Sequence, residues 1–154
     1  MPMLQGFLTF SFRNDGDGTG KLFAKAESQG YSGASGAYFD IGRIQEFAQA
    51  IAEFPLPDIS RCSIASGFYS KEVLGALEQE HLGIEIYPID HRGHIGVQVR
   101  MATEIWNDTR PKSQKAAKFE ITTTYQAIAD FSKEIQAMLC GTIAEATLAG
   151  EMLP

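Results

Sequence analysis

The amino-acid sequence predicts an α+β fold, in which a largely antiparallel sheet, curved or split into two packed layers, is packed by two amphipathic helices. Three observations carry this expectation. Runs that alternate apolar and polar residues recur along the chain, two longer stretches repeat their apolar residues at helical spacing, and glycine- or proline-rich segments separate them. The length of 154 residues suits one domain, residues 1–154, able to close a core without disulfides or a structural metal.

The elements follow in order. Residues 6–13, GFLTFSFR, place Leu8, Phe10 and Phe12 on one face and Thr9, Ser11 and Arg13 on the other, the period-two signature of a half-buried strand. NDGDGTG, residues 14–20, is a turn, and KLFAKAES, residues 21–28, is a returning strand, so the pair reads as a hairpin. Residues 30–40, GYSGASGAYFD, form a third extended piece whose small side chains let another element approach closely. Asp40 is placed to cap a helix over residues 41–54 with Ile41, Ile44, Phe47, Ala48, Ile51 and Phe54 on one face, stopped by Pro55 and Pro57. CSIASGFY, residues 62–69, is a strand; residues 70–80 read equally as short helix or loop. LGIEIYPID and IGVQVRMAT are two strands joined through His91-Arg92-Gly93-His94, and after Trp106 a polar loop, residues 107–115, leads to a strand at 118–122. A second helix runs over residues 125–140, with Thr123 and Gln126 as a capping box and Gly141 as its stop. Ile44, Phe47, Ile51 and Phe54 have the spacing of Ile128, Phe131, Ile135 and Met138, each set following a strand. That spacing belongs to any amphipathic helix, so the expectation is two helices covering one sheet rather than a repeated unit. The core is expected to include Leu8, Phe10, Phe12, Ile44, Phe47, Ile51, Ile86, Val97, Val99, Phe131, Ile135 and Leu139.

Composition narrows the function classes. Apolar residues make up 44% and charged residues 21%, ordinary for a globular protein, and no run approaches the ~20 apolar residues of a membrane span. The first residues lack the pattern of a secretory signal, and two cysteines, Cys62 and Cys140, are too few for a disulfide framework, so a cytoplasmic protein is expected. The formal charge of −6 argues against an electrostatic grip on nucleic acid and favours basic partners.

Two glycine-containing turns invite chemical readings. In IDHRGHIG, residues 89–96, Asp90, His91 and His94 are candidate metal ligands with His81 as a fourth. An intervening strand at ~3.3 Å per residue would hold His81 roughly 30 Å from His91, and an exposed tip offers nothing to orient the imidazoles, so a hairpin turn around Gly93 is expected and no metal or other cofactor. DGDGTG resembles the first half of a calcium loop, but its twelfth position is Ala26 rather than glutamate, which also favours a turn. Gly30, Gly33 and Gly36 lack the spacing of a dinucleotide or phosphate loop, and the serines near Lys71 lack a nucleophile elbow. Glu85 and Arg100 read as a cross-strand ion pair.

The succession GAYFD-helix, EQEHLGIEIYPIDHRGHIGVQVRMAT and FEITTTYQAIADFSKEIQAMLCG resembles small bacterial α+β proteins related to the WapI-type immunity family. The resemblance covers residues 36–141 and rests on the strand-and-helix pattern with its Gly93-His94 tip and its Tyr125 helix start. It implies a cytoplasmic antidote that binds a toxin domain, a basic nuclease being the partner an acidic surface suits, and blocks it with no chemistry of its own. The exposed turn groups Asp15, Asp17, Asp90, His91, Arg92 and His94 are then the candidate contacts. Two alternatives stay open: a metal-dependent enzyme using Asp90, His91 and His94, and a small-ligand domain with residues 30–36 lining a cleft.

Overall fold

A computed structural model of the chain describes residues 6–151; the first residues, read above for a targeting signal, lie largely outside that range. The strands are β1 (Phe7–Asn14), β2 (Thr19–Ser28), β3 (Tyr31–Asp40), β4 (Ser63–Tyr69), β5 (Leu77–Pro88), β6 (His94–Ala102), β7 (Ala116–Thr124) and β8 (Glu145–Ala149), and the helices are α1 (Ile41–Ile51) and α2 (Tyr125–Leu139). They build two four-stranded antiparallel sheets, ordered β3-β2-β1-β8 and β4-β5-β6-β7. The fold is α+β with two sheet layers, as the alternation patterns require.

The chain is doubled. Three antiparallel strands, a helix and a fourth strand occur twice in succession, and each fourth strand crosses to the other sheet: β4 joins β5, and β8 joins β1. The registers match at corresponding positions, apart from shifts in the β4–β5 ladder past Ser66. Leu8 lies between Ala26 and Leu148, and Leu82 between Met101 and Ser66; Thr19 pairs with Asp40 at the start of α1, and His94 with Thr124 at the start of α2. Counting from these starts, the buried faces coincide as Ile44 with Ile128, Phe47 with Phe131, Ala48 with Ser132 and Ile51 with Ile135. The shared spacing therefore marks a true structural repeat, and the reading of two unrelated helices over one sheet is corrected. Register decides this, because any amphipathic helix shows the same spacing.

The helices pack on each other, with the Ser132 hydroxyl donating to the Ala48 carbonyl at 2.6 Å where the matching positions meet. Strand β3 touches all four strands of the second sheet, and its small residues permit this: a Cβ on Gly33 would stand 2.9 Å from that of Ala117. The expected core holds, with Phe12 and Leu139 half-buried at its margin.

Several details differ from expectation. Helix α1 ends at Ile51, since the ring of Pro55 clashes with a helical carbonyl four residues earlier; Phe54 is left 79% exposed, edge-on to Tyr125 at 4.8 Å. The cap of α2 is Thr124, whose Oγ1 accepts from the Ala127 amide at 3.2 Å, while Thr123 is buried and donates to the Ala149 carbonyl at 2.8 Å. Asp40 occupies the cap position of α1 but its side chain makes no capping bond. Residues 70–76 form a loop, and β8 stands where no element is expected from the sequence. Among the described residues no helix is long and apolar enough to cross a membrane.

Candidate functional site

The two turns singled out in the sequence occupy matching places in the two halves. Each joins the first and second strand of its unit and closes with one backbone bond: Asp15 N–H to the Thr19 carbonyl, and Ile89 N–H to the His94 carbonyl, both at 3.0 Å. Each turns on a glycine at positive φ, Gly18 and Gly93, where a side chain would be strained. Each also sits on the start of its own helix. The Gly18 carbonyl accepts from the Ile41 amide at 2.9 Å, and a Cβ on Gly93 would lie 4.0 Å from the Tyr125 ring.

In the first turn the Asp17 carboxylate accepts from the Thr19 hydroxyl at 2.6 Å and the Thr19 amide at 3.0 Å, and these bonds hold it below the usual carboxylate range. Asp15 is 3.5 Å from the exposed Arg13 guanidinium. In the second turn Asp90 organises the loop. Its Oδ2 meets His94 Nδ1 at 2.5 Å, and its Oδ1 accepts from the Arg92 amide at 2.7 Å and the His94 amide at 3.4 Å; the ring bond to His94 is the largest cause of its lowered pKa. His91 and Arg92 are exposed, and their side chains have no partner among the described residues. So Asp17, Asp90 and His94 build the turns, while His91 and Arg92 are left free to meet something else.

His81 is far from this role. It is buried in β5, 2% exposed, with Nε2 3.0 Å from Gln79 Oε1 and its ring edge-on to Phe68 at 4.5 Å. Among the described residues, no three His, Cys, Asp or Glu side chains come together as a metal site would need.

The six candidate residues do not form one site. Phe54 and Leu56, just past the end of α1, lie against Tyr125 at the start of α2, so the two helices run antiparallel. The turns at the two helix starts are then at opposite ends of the pair, with α1, an 11-residue helix of about 16 Å, running from the first turn towards the segment that meets Tyr125. Asp15 and Asp17 belong to one end, and Asp90, His91, Arg92 and His94 to the other. At that second end sit Phe54, packed on Tyr125, and Ile89, 38% exposed. Sequence reasoning missed Phe54 because helical spacing placed it on the apolar face of the helix; the proline after it was the available signal.

At the first end a cleft of about 470 Å³ opens between Tyr38 and Tyr69, over Asp40, Arg43 and Ala65. Its counterpart in the second half is shut: the Glu151 amide donates to the Thr122 carbonyl at 2.7 Å and the Thr122 hydroxyl to the Glu151 carbonyl at 2.6 Å. Elsewhere on the second sheet, Arg100 is held by Glu80 at 2.6 Å and Glu85 at 2.7 Å, so the expected pair is present and enlarged by Glu80.

Compared with family models, with curated proteins and with solved structures, the chain matches none.

Proposed function

We propose that this protein is a binding domain with no chemistry of its own, and that its partner is another protein met at the second turn. The observation that carries the reading is Phe54, an aromatic ring left 79% exposed beside the free side chains of the His91-Arg92 tip. Covering such a ring is worth about 1.5–3 kcal/mol, a gain the isolated chain forgoes and an interface recovers. Aromatic residues and arginine are also the types that dominate the centres of protein interfaces. The bonds from Asp90 to Arg92 and His94 fix the tip beforehand, which lowers the ordering cost of association. In the antidote form of this reading the partner is a basic toxin domain, and the net charge of −6 supports fast, salt-sensitive encounter with it. The metal-enzyme reading has against it that, among the described residues, no three His, Cys, Asp or Glu side chains come together at this tip or elsewhere.

The test is affinity capture from the native lysate with a tag free of histidine, using the wild-type protein and the double variant Phe54→Ala, Arg92→Glu. A stoichiometric partner held by the wild type and lost by an equally stable variant supports the reading. Equal capture by both, or an equivalent of bound metal that His94→Ala removes, would sink it.

A further inference from the structure

The first half of the molecule carries a second surface, independent of the second turn. Strand β3 ends its sheet, with β2 as its one ladder partner. Successive residues of a strand face their backbone groups to alternate sides, and the Tyr38 carbonyl is engaged from the side away from β2 by the Ser66 hydroxyl at 2.5 Å. Residues 32, 34 and 36 therefore present their amides and carbonyls on that same outer side, with Ser32 and Ala34 exposed. Among the described residues no backbone bond joins β3 to β4, whereas β7, the counterpart of β3, has its Thr122 carbonyl taken by the Glu151 amide. One edge of the pair is used and the other is open.

A groove passes over this open edge. A hollow of about 410 Å³ on the outer face of β1–β3 reaches from Lys25 to Ala34; one of about 200 Å³ shares Ala34 and continues past Lys115 to Ala117; one of about 310 Å³ shares Ala117 and ends at Lys118. Lys25, Lys115 and Lys118 are all exposed, and none has a carboxylate partner among the described residues. Two carboxylates lie in the lining. Glu80 is tied to Arg100, and Glu145 stands at the β8 margin. On a chain of net charge −6, three unpaired ammonium groups along one groove form a local reversal of charge.

We infer that this groove docks an extended acidic segment of a partner protein, which adds as a strand to β3 and sets its carboxylates against Lys25, Lys115 and Lys118. Strand addition satisfies the outward amides and carbonyls of residues 32, 34 and 36, where Ser32 and Ala34 are exposed. Five residues of an added strand, at about 3.4 Å each, span the edge. The lysines supply what a bare edge lacks, a preference for acidic sequences and a direction of approach.

Fluorescence anisotropy tests this with a capped, labelled peptide of alternating glutamate and threonine, added to the intact protein at low and high salt. Saturable binding is expected, weakened about tenfold or more by Lys25→Glu, Lys115→Glu and Lys118→Glu together, as several surface ion pairs turn repulsive. Ala34→Pro, which removes an outward amide at an edge where proline is tolerated, should abolish binding while the melting temperature stays within a few degrees. Failure of the peptide to saturate at low salt overturns the inference. So does undiminished binding to either variant, equal binding of a peptide N-methylated at alternate amides, or equal binding of single-stranded oligothymidylate, which would show mere attraction of polyanions.

Discussion

His81 offers the most direct test of how the doubled fold is held together. Its ring sits in the core edge between Phe68 and Gln79, and burial pushes it below its ordinary pKa of 6.5; Glu104 opposes that shift and Lys21 adds to it. The native state thus keeps the ring neutral, while the unfolded chain takes up a proton below 6.5. Stability is complete above that value and falls as the pH drops from 6.5 towards the lowered native value, by at most about 1.4 kcal/mol per pH unit. The matching position in the first half is Phe7, one residue before Leu8 as His81 is one before Leu82. His81→Phe should therefore fit. It orphans nothing, because Gln79 Oε1 also accepts from the Ile105 amide at 3.1 Å and its Nε2 donates to the Ile105 carbonyl at 2.8 Å. The edge-on contact with Phe68 is one a phenyl ring also makes, at about 0.5–1.5 kcal/mol. Urea unfolding followed by circular dichroism, from neutral pH down to about pH 5, reads both quantities. The variant should match or exceed the wild type at neutral pH and lose most of the wild-type slope below it. The other histidines cancel in the comparison. An unchanged slope in the variant would show that the linked proton is not on His81.

Gly67→Ala should cost about 3 kcal/mol or more, because its Cβ would stand 1.9 Å from the Gln79 carbonyl at a register shift between β4 and β5, whereas Gly42→Ala in α1 meets nothing within 4 Å and should gain about 0.5–1 kcal/mol; thermal melts of the two compare them, and similar effects would refute the argument. Leu148→Ala, on the crossing strand β8 and fully buried, should lose about 2–5 kcal/mol in denaturant unfolding, and a loss below about 1 kcal/mol would mean that β8 adds little to the core. The Asp90 carboxylate fastens the second turn above its ordinary 3.8 and releases it only as the pH falls through its lowered native value, so the Arg92 amide resonance should titrate with a midpoint below 3.8; a midpoint at or above 3.8 would contradict the bond to His94.

Much of the fold was legible because it rests on local alternation. β1 and β2 alternate buried residues with half-buried or exposed ones, β5 and β6 place Leu82, Ile84 and Ile86 and Ile95, Val97, Val99 and Met101 in the core at period two, and both helices follow from apolar spacing and stop signals. The doubling was visible only as a spacing shared by two helices, since its proof lies in which residues pair across strands, and pairing partners are far apart in sequence. β8 escaped notice because EATLA is too short to establish a period, and its place beside β1 is decided by tertiary contact alone. For the candidate site, the turns were legible through Gly18 and Gly93. Their separation to opposite ends was not, because it depends on the antiparallel packing of α1 on α2. Phe54 was misplaced for the complementary reason: its spacing fits the helix face, but Pro55 ends the helix before it.

The repeat also separates what folding demands from what it leaves free. Where both halves need the same feature they keep it: Leu8 and Leu82 in the core, Gly18 and Gly93 in the turns, Phe47 and Phe131 on the buried helix faces. Where they diverge, one half has closed a feature that the other leaves open. Thr122 is bonded to Glu151 across its seam, while Tyr38 and Tyr69 flank a cleft; among the described residues Lys25 has no carboxylate partner at the position where Arg100 is clamped by Glu80 and Glu85, and Thr19 satisfies Asp17 at one tip while the side chains of His91 and Arg92 have no partner at the other. A fold that satisfies itself at a position in one half shows that satisfaction is available there by ordinary side chains. Leaving the matching position unsatisfied is then no requirement of the architecture, and the unsatisfied groups of β3, Lys25 and the second tip are where a partner has the most to gain.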